Sequence, residues 1–136
     1  MEERTITYLT DACLITCILQ KDLAEGVLEA AKNCGAQGAT ISYAIGTGVR
    51  ERMGLLGMAI DEQKEVIRII VSKEQSELIF ETMYLAGQLD KPGKGIMFMS
   101  NLDRVATFIP DEVMNKFAWG CIHVCRNRCI SAEVCW

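Results

Sequence analysis

Apolar and polar positions follow two different periods along the first third of the chain. Residues 14–19, LITCIL, are β-branched and apolar over the length of a strand, which is typical of a buried strand. Residues 21–35 then carry apolar side chains at helical spacing, and Gly35 supplies a C-terminal stop. The apolar face of this predicted helix consists of Leu23, Val27, Ala30, Ala31 and Cys34. A second strand is predicted over residues 38–45, GATISYAI.

The same order of elements repeats after a long glycine-rich segment. Residues 46–63 show no clean period and are predicted to be a loop, whereas residues 64–71, KEVIRIIV, are predicted to be a third strand. Ser72 stands three residues before Gln75, which is the spacing of a capping box and predicts a second helix over residues 73–86. The inner face of this helix is predicted to hold Leu78, Ile79, Met83 and Ala86. The segments IMFMS and RVATFI then predict one interrupted strand or two short ones.

This repeated β-α-β order defines the predicted fold class. It is α+β, the ferredoxin-like split βαβ arrangement (βαββαβ), with four antiparallel strands and both helices on one face of the sheet. We expect one domain over residues 1–110 and a cysteine-rich C-terminal tail over residues 111–136. An oligomer is also expected, because the open face of such a sheet needs a cover.

Composition indicates in which compartment the protein works and which classes of partner it binds. The chain has 136 residues and a net charge of -4, which argues against nucleic acid as a partner because phosphate contacts need a clustered basic face. No apolar run approaches the roughly 18 residues that a membrane span needs. The N-terminus, MEERTITYLTD, lacks the pattern of an export signal. Seven cysteines, an odd number, then favour reduced thiols, and we expect a cytoplasmic protein.

Four of the seven cysteines lie in the tail beyond residue 120, together with the only histidine. Thiols and an imidazole are ligands for zinc, and thiols also hold iron–sulfur clusters. Such motifs usually include a two-residue gap between cysteines, which is missing here, so pairing on oxidation and plain packing stay open as alternatives. The candidate metal ligands are Cys121, His123, Cys125, Cys129 and Cys135.

Three glycine-bearing turns fall at equivalent ends of the predicted fold. They are GAQG (35–38), GTG (46–48) and PGKG (92–95). Backbone amides of such turns can converge on an anion, although each motif alone is also typical of a simple tight turn. Lys64, Lys91 and Lys94 lie close to these turns in the sequence. No motif or constellation for catalysis is present, and we predict that the protein is not an enzyme.

The predicted loop over residues 46–63 is long for a compact domain, and long loops are usually functional or disordered. Its apolar tip is flanked by two arginines, a composition that suits docking onto a partner protein. Packing against its own domain is the alternative. The candidate partner-binding residues are Arg50, Arg52, Met53, Leu55, Leu56 and Met58.

Together these segments resemble the PII signalling family, the nitrogen regulatory PII-like proteins, and look closest to its shorter-loop, PII-like branch. The resemblance covers residues 12–110, and rests on LITCIL, GAQGATI, the GTG turn, GLLGMAIDEQKEVIRIIV, and LDKPGKGIMF before NLDRV. It implies a homotrimer of ferredoxin-like subunits that binds an adenine nucleotide, ATP, ADP or AMP, in the clefts between subunits. Residues 46–63 correspond in this resemblance to the partner-docking T-loop and residues 88–95 to the B-loop. The regulated partner in this family is often a membrane transporter or a metabolic enzyme.

The resemblance also assigns nucleotide-binding residues and shows departures from the family pattern. The B-loop of the best-known members reads G-D-G-K, whereas this chain has Gly93-Lys94-Gly95-Ile96. Thr107 and Ile109 stand where the family has two phosphate-clamping arginines. Fewer cations predict weaker binding or a nucleotide with fewer phosphates, because charge-assisted contacts are the stronger ones. The matched positions near the nucleotide are Thr40, Gly46, Gly48, Lys64, Gly93 and Gly95, and the candidate replacement cations are Lys91, Lys94, Arg50 and Arg104.

Two hypotheses about function result from these observations. The first is a non-catalytic regulator, in nitrogen or carbon metabolism, that binds an adenine nucleotide between subunits and controls its partner through the T-loop. The alternative is a metal-binding or redox-sensing module centred on the tail cysteines, with a vestigial nucleotide cleft.

Overall fold

The computed structural model of the protein describes residues 8–46, 62–108 and 129–130. Seven strands and two helices occur in these ranges. In chain order they are β1 (Tyr8–Leu9), β2 (Ala12–Gln20), α1 (Ala24–Asn33), β3 (Thr40–Gly46), β4 (Glu62–Ser72), α2 (Lys73–Ala86), β5 (Gly95–Leu102), β6 (Val105–Ala106) and β7 (Cys129–Ile130).

The main sheet has four strands in the order β3-β4-β2-β5, and every neighbouring pair is antiparallel. This order, with a helix after β2 and another after β4, is the ferredoxin-like βαββαβ fold that the sequence predicts. The predicted fold class is therefore confirmed, together with each of its main strands and both helices. The strands β2 and β4 are longer than predicted, and α1 is shorter.

The core lies between this sheet and the two helices. Odd-numbered residues of the two central strands, from Cys13 to Leu19 and from Glu65 to Val71, face the helices and are almost fully buried, because successive side chains of a strand point to opposite faces. From the helices, small and medium apolar side chains complete the cluster. Its main members are Cys13, Ile15, Cys17, Leu19, Val27, Ala31, Ile67, Ile69, Val71, Ile79 and Met83.

The two helices begin in different ways. The Ser72 side chain accepts a hydrogen bond from the Gln75 backbone N–H at 3.4 Å, as the capping-box spacing predicts. Helix α1 has no side-chain cap at Leu23, and its Ala24 N–H instead donates to Oε2 of Glu65, on β4, at 2.8 Å. The start of α1 therefore depends on a carboxylate from the other half of the sheet.

The predicted inner face of α2 is partly wrong. Ile79 and Met83 are buried as expected, but the Leu78 side chain is 57% exposed and Ala86 is exposed. The buried stripe instead begins at Ser76, whose hydroxyl donates to the Lys73 carbonyl at 2.8 Å and is thereby satisfied inside the core. Leu78 lies off this stripe by the geometry of the helix.

A second, small sheet joins three distant parts of the chain and was not predicted. Its order is β6-β1-β7, with β1 antiparallel to β6 and parallel to β7. Leu9 is fully buried, and the Arg104 guanidinium lies 5.4 Å from the centroid of the Tyr8 ring. The segment RVATFI therefore contributes a short separate strand after β5, one of the two arrangements that the sequence allowed.

Neither helix in the described ranges is both long enough and apolar enough to cross a membrane.

Candidate functional site

One end of the main sheet gathers most of the glycine-bearing segments that the sequence singles out. There β3 ends at Gly46, which pairs with Glu62 at the start of β4. Lys64 pairs with Gln20, the last residue of β2, and Gly95 pairs with Leu19. Because antiparallel partners lie side by side, Gly46, Lys64 and Gly95 lie at the same end of the sheet. The segment from Gly87 to Lys94 reaches this end as a turn.

The glycine at the start of β5 is required by close backbone contact. A Cβ on Gly95 would overlap the carbonyl oxygen of Ile18 and would lie 3.2 Å from the Leu19 Cα. Gly95 also has a φ of 155°, which L side chains rarely adopt, and Gly93 has a φ of 78° in the left-handed region. These two glycines let the α2–β5 turn press its backbone against β2, whatever else the turn binds.

Hydrogen bonds hold the α2–β5 turn in a defined shape. The Gln20 backbone N–H donates to the Lys94 carbonyl at 3.2 Å, which ties the end of the turn to β2. The Lys91 N–H donates to the Gln88 carbonyl at 3.0 Å, and its Nζ donates to the Gln88 Oε1 at 3.1 Å. Lys91 is exposed, and Lys94 is half-buried. Two cations therefore stand on an ordered turn next to the end of the sheet.

Lys64 is the most enclosed of the candidate cations. Its side chain is only 12% exposed, and its Nζ lies 3.5 Å from Oε2 of Glu62. The Lys64 Cγ would be 3.6 Å from a Cβ on Gly46, an ordinary van der Waals contact. Glycine at position 46 therefore leaves the space next to the aliphatic part of the Lys64 side chain open. The strand pairing itself does not require a glycine there.

Thr40 does not join this group within one subunit. It is the first residue of β3 and pairs with Arg68, in the middle of β4. Lys64 is four residues further along β4, a distance of roughly 13 Å at the rise of a strand. A ligand that touches both Thr40 and the glycine-bearing end of the same subunit must span that distance.

Several predicted site residues lie outside the part of the chain that the structure describes. They are Gly48, Arg50, Arg52, Met53, Leu55, Leu56, Met58, Cys121, His123, Cys125 and Cys135. The predicted loop 46–63 is shorter at its ends than expected, since Gly46, Glu62 and Gln63 pair within strands. Cys129 is described only as backbone in β7. Across the described ranges no group of three His, Cys, Asp or Glu residues could hold a metal ion, and the tail metal site stays a prediction.

Two charged residues near the site were not identified from the sequence. Glu65 is only 7% exposed and holds the start of α1, and Arg68 is exposed on the opposite face of the same strand. Both interrupt an apolar strand pattern, KEVIRIIV, which was the available signal. Their roles depend on contacts with other strands and helices, so the local pattern could not assign them.

Burial also sets the chemistry of the described cysteines. Cys13 and Cys17 are buried, whereas Cys34 is half-buried with its Sγ 3.3 Å from the Thr82 hydroxyl. Burial raises the pKa of the Cys17 thiol from 9.0 to about 12. Cys17 is therefore a protonated core residue at neutral pH, as its position in an apolar run predicts.

Comparisons with known proteins agree with this fold. The family model for nitrogen regulatory protein P-II matches residues 12–112. Among solved structures, the chain is similar to Arabidopsis thaliana PII bound to citrate, with a TM-score of 0.55 and 20% sequence identity. That alignment covers 69% of this chain and 79% of the Arabidopsis chain, and at this identity it supports the fold alone. No curated protein matches the chain significantly.

Because the family match spans most of its length, the chain belongs to the P-II nitrogen regulatory protein family. Members of this family are non-catalytic signalling regulators, which confirms the prediction that the protein is not an enzyme. They form trimers, regulate partner proteins and typically bind adenine nucleotides. The match identifies the family and does not distinguish its branches.

Proposed function

We propose that this protein binds an adenine nucleotide at the glycine-bearing end of its main sheet, between the subunits of a homotrimer. The observation that carries the proposal is the convergence of three features at that end. Gly46 terminates β3, the enclosed Lys64 lies beside it, and the turn with Gly93 leads into β5 at Gly95. Glycine-bearing turns whose backbone amides can face an anion, together with a nearby cation, are the chemistry that a phosphate group needs.

The charges near this end favour a nucleotide with few phosphates. Lys64 is already 3.5 Å from the Glu62 carboxylate, so part of its charge is offset. Lys91 donates to the Gln88 side chain, and Arg104 lies over the Tyr8 ring beyond the opposite end of β5. Thr107 is uncharged. Lys94 and Lys91 thus remain as the cations on the turn, fewer than a triphosphate with its full charge would use.

The binding experiment is a calorimetric titration of the full, reduced protein with ATP, ADP and AMP, with and without magnesium. We expect micromolar binding, with ADP or AMP at least as tight as ATP. The Lys64→Gln variant should weaken the preferred nucleotide by about tenfold, the scale of a lost hydrogen bond to a charged group. Lys32→Gln, on α1, removes the same charge from an exposed position and should leave the affinity unchanged.

Absence of binding by all three nucleotides would overturn the proposed ligand class. Equal affinity in wild type and Lys64→Gln would overturn the assignment of the site. The molar mass in solution, measured by light scattering, tests the trimer separately, since a monomer would leave no cleft between subunits.

We also propose that residues 46–63 report the nucleotide state to a partner protein, such as a membrane transporter or a metabolic enzyme. Two strands, β3 and β4, lead directly from the candidate site into this segment. The segment itself supplies apolar residues and two arginines for docking. Replacing Leu55 and Leu56 by serine should abolish partner capture without changing nucleotide affinity, and retained capture by the double variant would contradict the assignment.

A further inference from the structure

The outer side of α2 carries an apolar stripe that no other described residue covers. It consists of Leu78 and Leu85, whose side chains are 57% and 69% exposed. The two leucines are seven residues apart, which is two helical turns, so they lie on the same side of the helix. Of the two helices, only α2 exposes large apolar side chains. This outer stripe, Leu78 with Leu85, is separate from the main sheet and from the candidate nucleotide site.

The direction of β7 leads the chain towards the start of this helix. Since β1 precedes β2 by two residues and β6 follows β5 by two, β6 lies on the β5 side of β1. The strand β7 lies on the other side of β1, which is the side on which β4 pairs with β2. Because β7 is parallel to β1, the chain leaves Ile130 in the direction of Ala12 and its partner Ser72. At Ser72 the strand β4 passes into α2.

From this geometry we infer that residues 131–136 of the same chain cover the outer stripe of α2, with the indole of Trp136 between Leu78 and Leu85. Burial of an indole against two leucines removes apolar surface of all three side chains from water, which favours the contact. Glu81 lies three residues after Leu78 and four before Leu85, and it is exposed. Its carboxylate can therefore accept a hydrogen bond from the indole N–H.

The start of α2 determines where this segment leaves the small sheet. The Lys73 N–H donates to the Asp11 carbonyl at 2.8 Å, so the helix begins directly beside Asp11. A strand that continued from Ile130 along β1 would reach Asp11, and hence Lys73, two residues later. The chain therefore turns out of the sheet at about Ala132, next to the first turn of α2.

The length of the segment matches the position of the stripe. The four residues that lead from Ala132 to Trp136 span roughly 13 Å when extended. At 1.5 Å per residue, the midpoint between Leu78 and Leu85 lies about 13 Å along the helix from Lys73. The indole thus reaches both leucines from the point at which the segment meets the helix.

The charges on the outer side of α2 favour this occupant over a second copy of the protein. Glu74, Glu77 and Glu81 are exposed there, and the last turn of the helix has no basic residue. Two copies that met through α2 would bring these acidic residues together, and like charges across an interface are unfavourable. Residues 131–136 contain one acidic residue, Glu133, which comes next to Lys73 and the N-terminus of α2, where a negative charge is stabilised.

The first test uses tryptophan fluorescence of the full, reduced protein without nucleotide. The chain has two tryptophans, Trp119 and Trp136, so Trp119→Phe leaves Trp136 as the only reporter. We expect the short-wavelength emission of a buried indole and slow quenching by acrylamide. Replacing Leu78 and Leu85 by serine should shift the emission to that of a solvent-exposed indole and increase the quenching severalfold.

The matched control changes two exposed positions of the other helix in the same way. Glu25→Ser with Glu29→Ser, on α1, introduces the same residue at two exposed helical positions away from the stripe and should leave the emission of Trp136 unchanged. Circular dichroism verifies that both double variants are folded.

The second test is a double-mutant cycle followed by thermal unfolding. Trp136→Ala and the double serine change at Leu78 and Leu85 should each lower the unfolding midpoint by a few degrees. Because both remove the same contact, their combination should lower the midpoint by less than the sum of the two separate losses.

Three results would contradict the inference. The first is the emission of an exposed indole in Trp119→Phe itself. The second is a buried emission that the two serines do not change, as expected if a second copy or another protein covers the stripe. The third is a buried emission that disappears on dilution, which would assign Trp136 to a contact between copies. None of these measurements needs a nucleotide, so the outcome is independent of the proposed function.

Discussion

The two βαβ halves of the main sheet, residues 12–46 and 62–102, hold their helices by different means. In the second half, α2 starts on its own Ser72, which accepts from Gln75 three residues later. In the first half, α1 has no cap of its own and is held by Glu65, which belongs to the second half. One helix is therefore specified locally, and the other is specified only when the two halves have come together.

The turns after the helices show the reverse dependence. Gly35 follows α1 with a φ of 100° and ends the helix locally, and an added Cβ there would meet the Gln75 side chain only at an ordinary van der Waals distance. Gly95 follows α2, and a glycine is required at this position because β2, of the first half, lies directly against it. The first half therefore depends on Glu65 of the second half to start α1, and the second half requires a glycine at position 95 because of the position of β2 in the first half. Both contacts lie at the end of the sheet that carries the candidate site.

The largest effect should come from filling the tightest of these contacts. Gly95→Ala places a Cβ against the Ile18 carbonyl, so β5 must move away from β2, and we expect a loss of about 3 kcal/mol in the free energy of unfolding. Urea unfolding followed by circular dichroism measures this loss. Gly46→Ala is the control, since its Cβ would meet only the Lys64 Cγ at 3.6 Å and should change stability by less than about 0.5 kcal/mol. Similar stability of Gly95→Ala and wild type would show that the two halves are not packed as described.

The two helix caps give the next largest effects and compare the halves directly. Glu65→Ala leaves the Ala24 N–H without its acceptor and removes a buried charged partner, and we expect a loss of about 2 kcal/mol. Ser72→Ala removes an ordinary local cap and should cost about 1 kcal/mol. Urea unfolding of both variants gives the two values. A larger loss for Ser72→Ala than for Glu65→Ala would contradict the view that α1 depends on the second half.

A pH-dependent effect should appear in the first half, at Cys17. Burial raises the pKa of this thiol to about 12 from an ordinary 9.0, so between these values the folded state holds a proton that the unfolded state releases. The contribution of the Cys17 thiol to the free energy of unfolding is therefore fully present below pH 9 and is lost as the pH rises towards 12. The wild type should lose stability relative to Cys17→Ala by up to about 1.4 kcal/mol per pH unit above pH 9. Urea unfolding of both proteins at several pH values measures the difference, and a constant difference would show that the thiol is not buried as described.

The smallest effect is a gain in stability. Gly26 is an exposed residue of α1 with no atom within 4 Å of the position of a Cβ. Gly26→Ala should stabilise the protein by about 0.5–1 kcal/mol, because alanine loses less backbone freedom in a helix. Thermal unfolding would show a higher midpoint. A lower midpoint would indicate that α1 is constrained at Gly26 by a contact that an added methyl group disturbs.

The sequence predicted what depends on local pattern and missed what depends on contact between distant segments. LITCIL and KEVIRIIV are apolar enough to require burial, and Ser72 with Gln75 marks a helix start within four residues, so the strands and α2 were identified. The cap from Glu65 joins residues 41 positions apart, and no periodicity shows such a contact. Leu78 was placed inside because apolar residues are usually buried, but this rule does not prevent an apolar side chain from being exposed.

The candidate site was predictable to a similar extent. The glycine turns and Lys64 were found from their types and from the family resemblance, and strand pairing then brings Gly46, Lys64 and Gly95 to one end of the sheet. Thr40 was expected near the nucleotide between subunits, and strand register places it four residues along β4 from Lys64 of the same subunit, so its role stays a prediction.

The small sheet β6-β1-β7 has a consequence for the order of folding. Its strands pair Tyr8 with Ala106 and with Cys129, residues about 100 and about 120 positions apart. In the main sheet β3 and β4 pair across a far shorter segment, whereas β2 and β5 pair across a separation close to that of β1 and β6. Closing a longer loop costs more chain entropy, and contacts between distant residues slow folding. The four-stranded sheet can form first and offer Leu9 a surface on which to pack. The β1–β6 pair continues the β2–β5 ladder just beyond Ala12 and Leu102, so it can form once that ladder is in place, and these short terminal strands are the part of the described fold that we expect to open first.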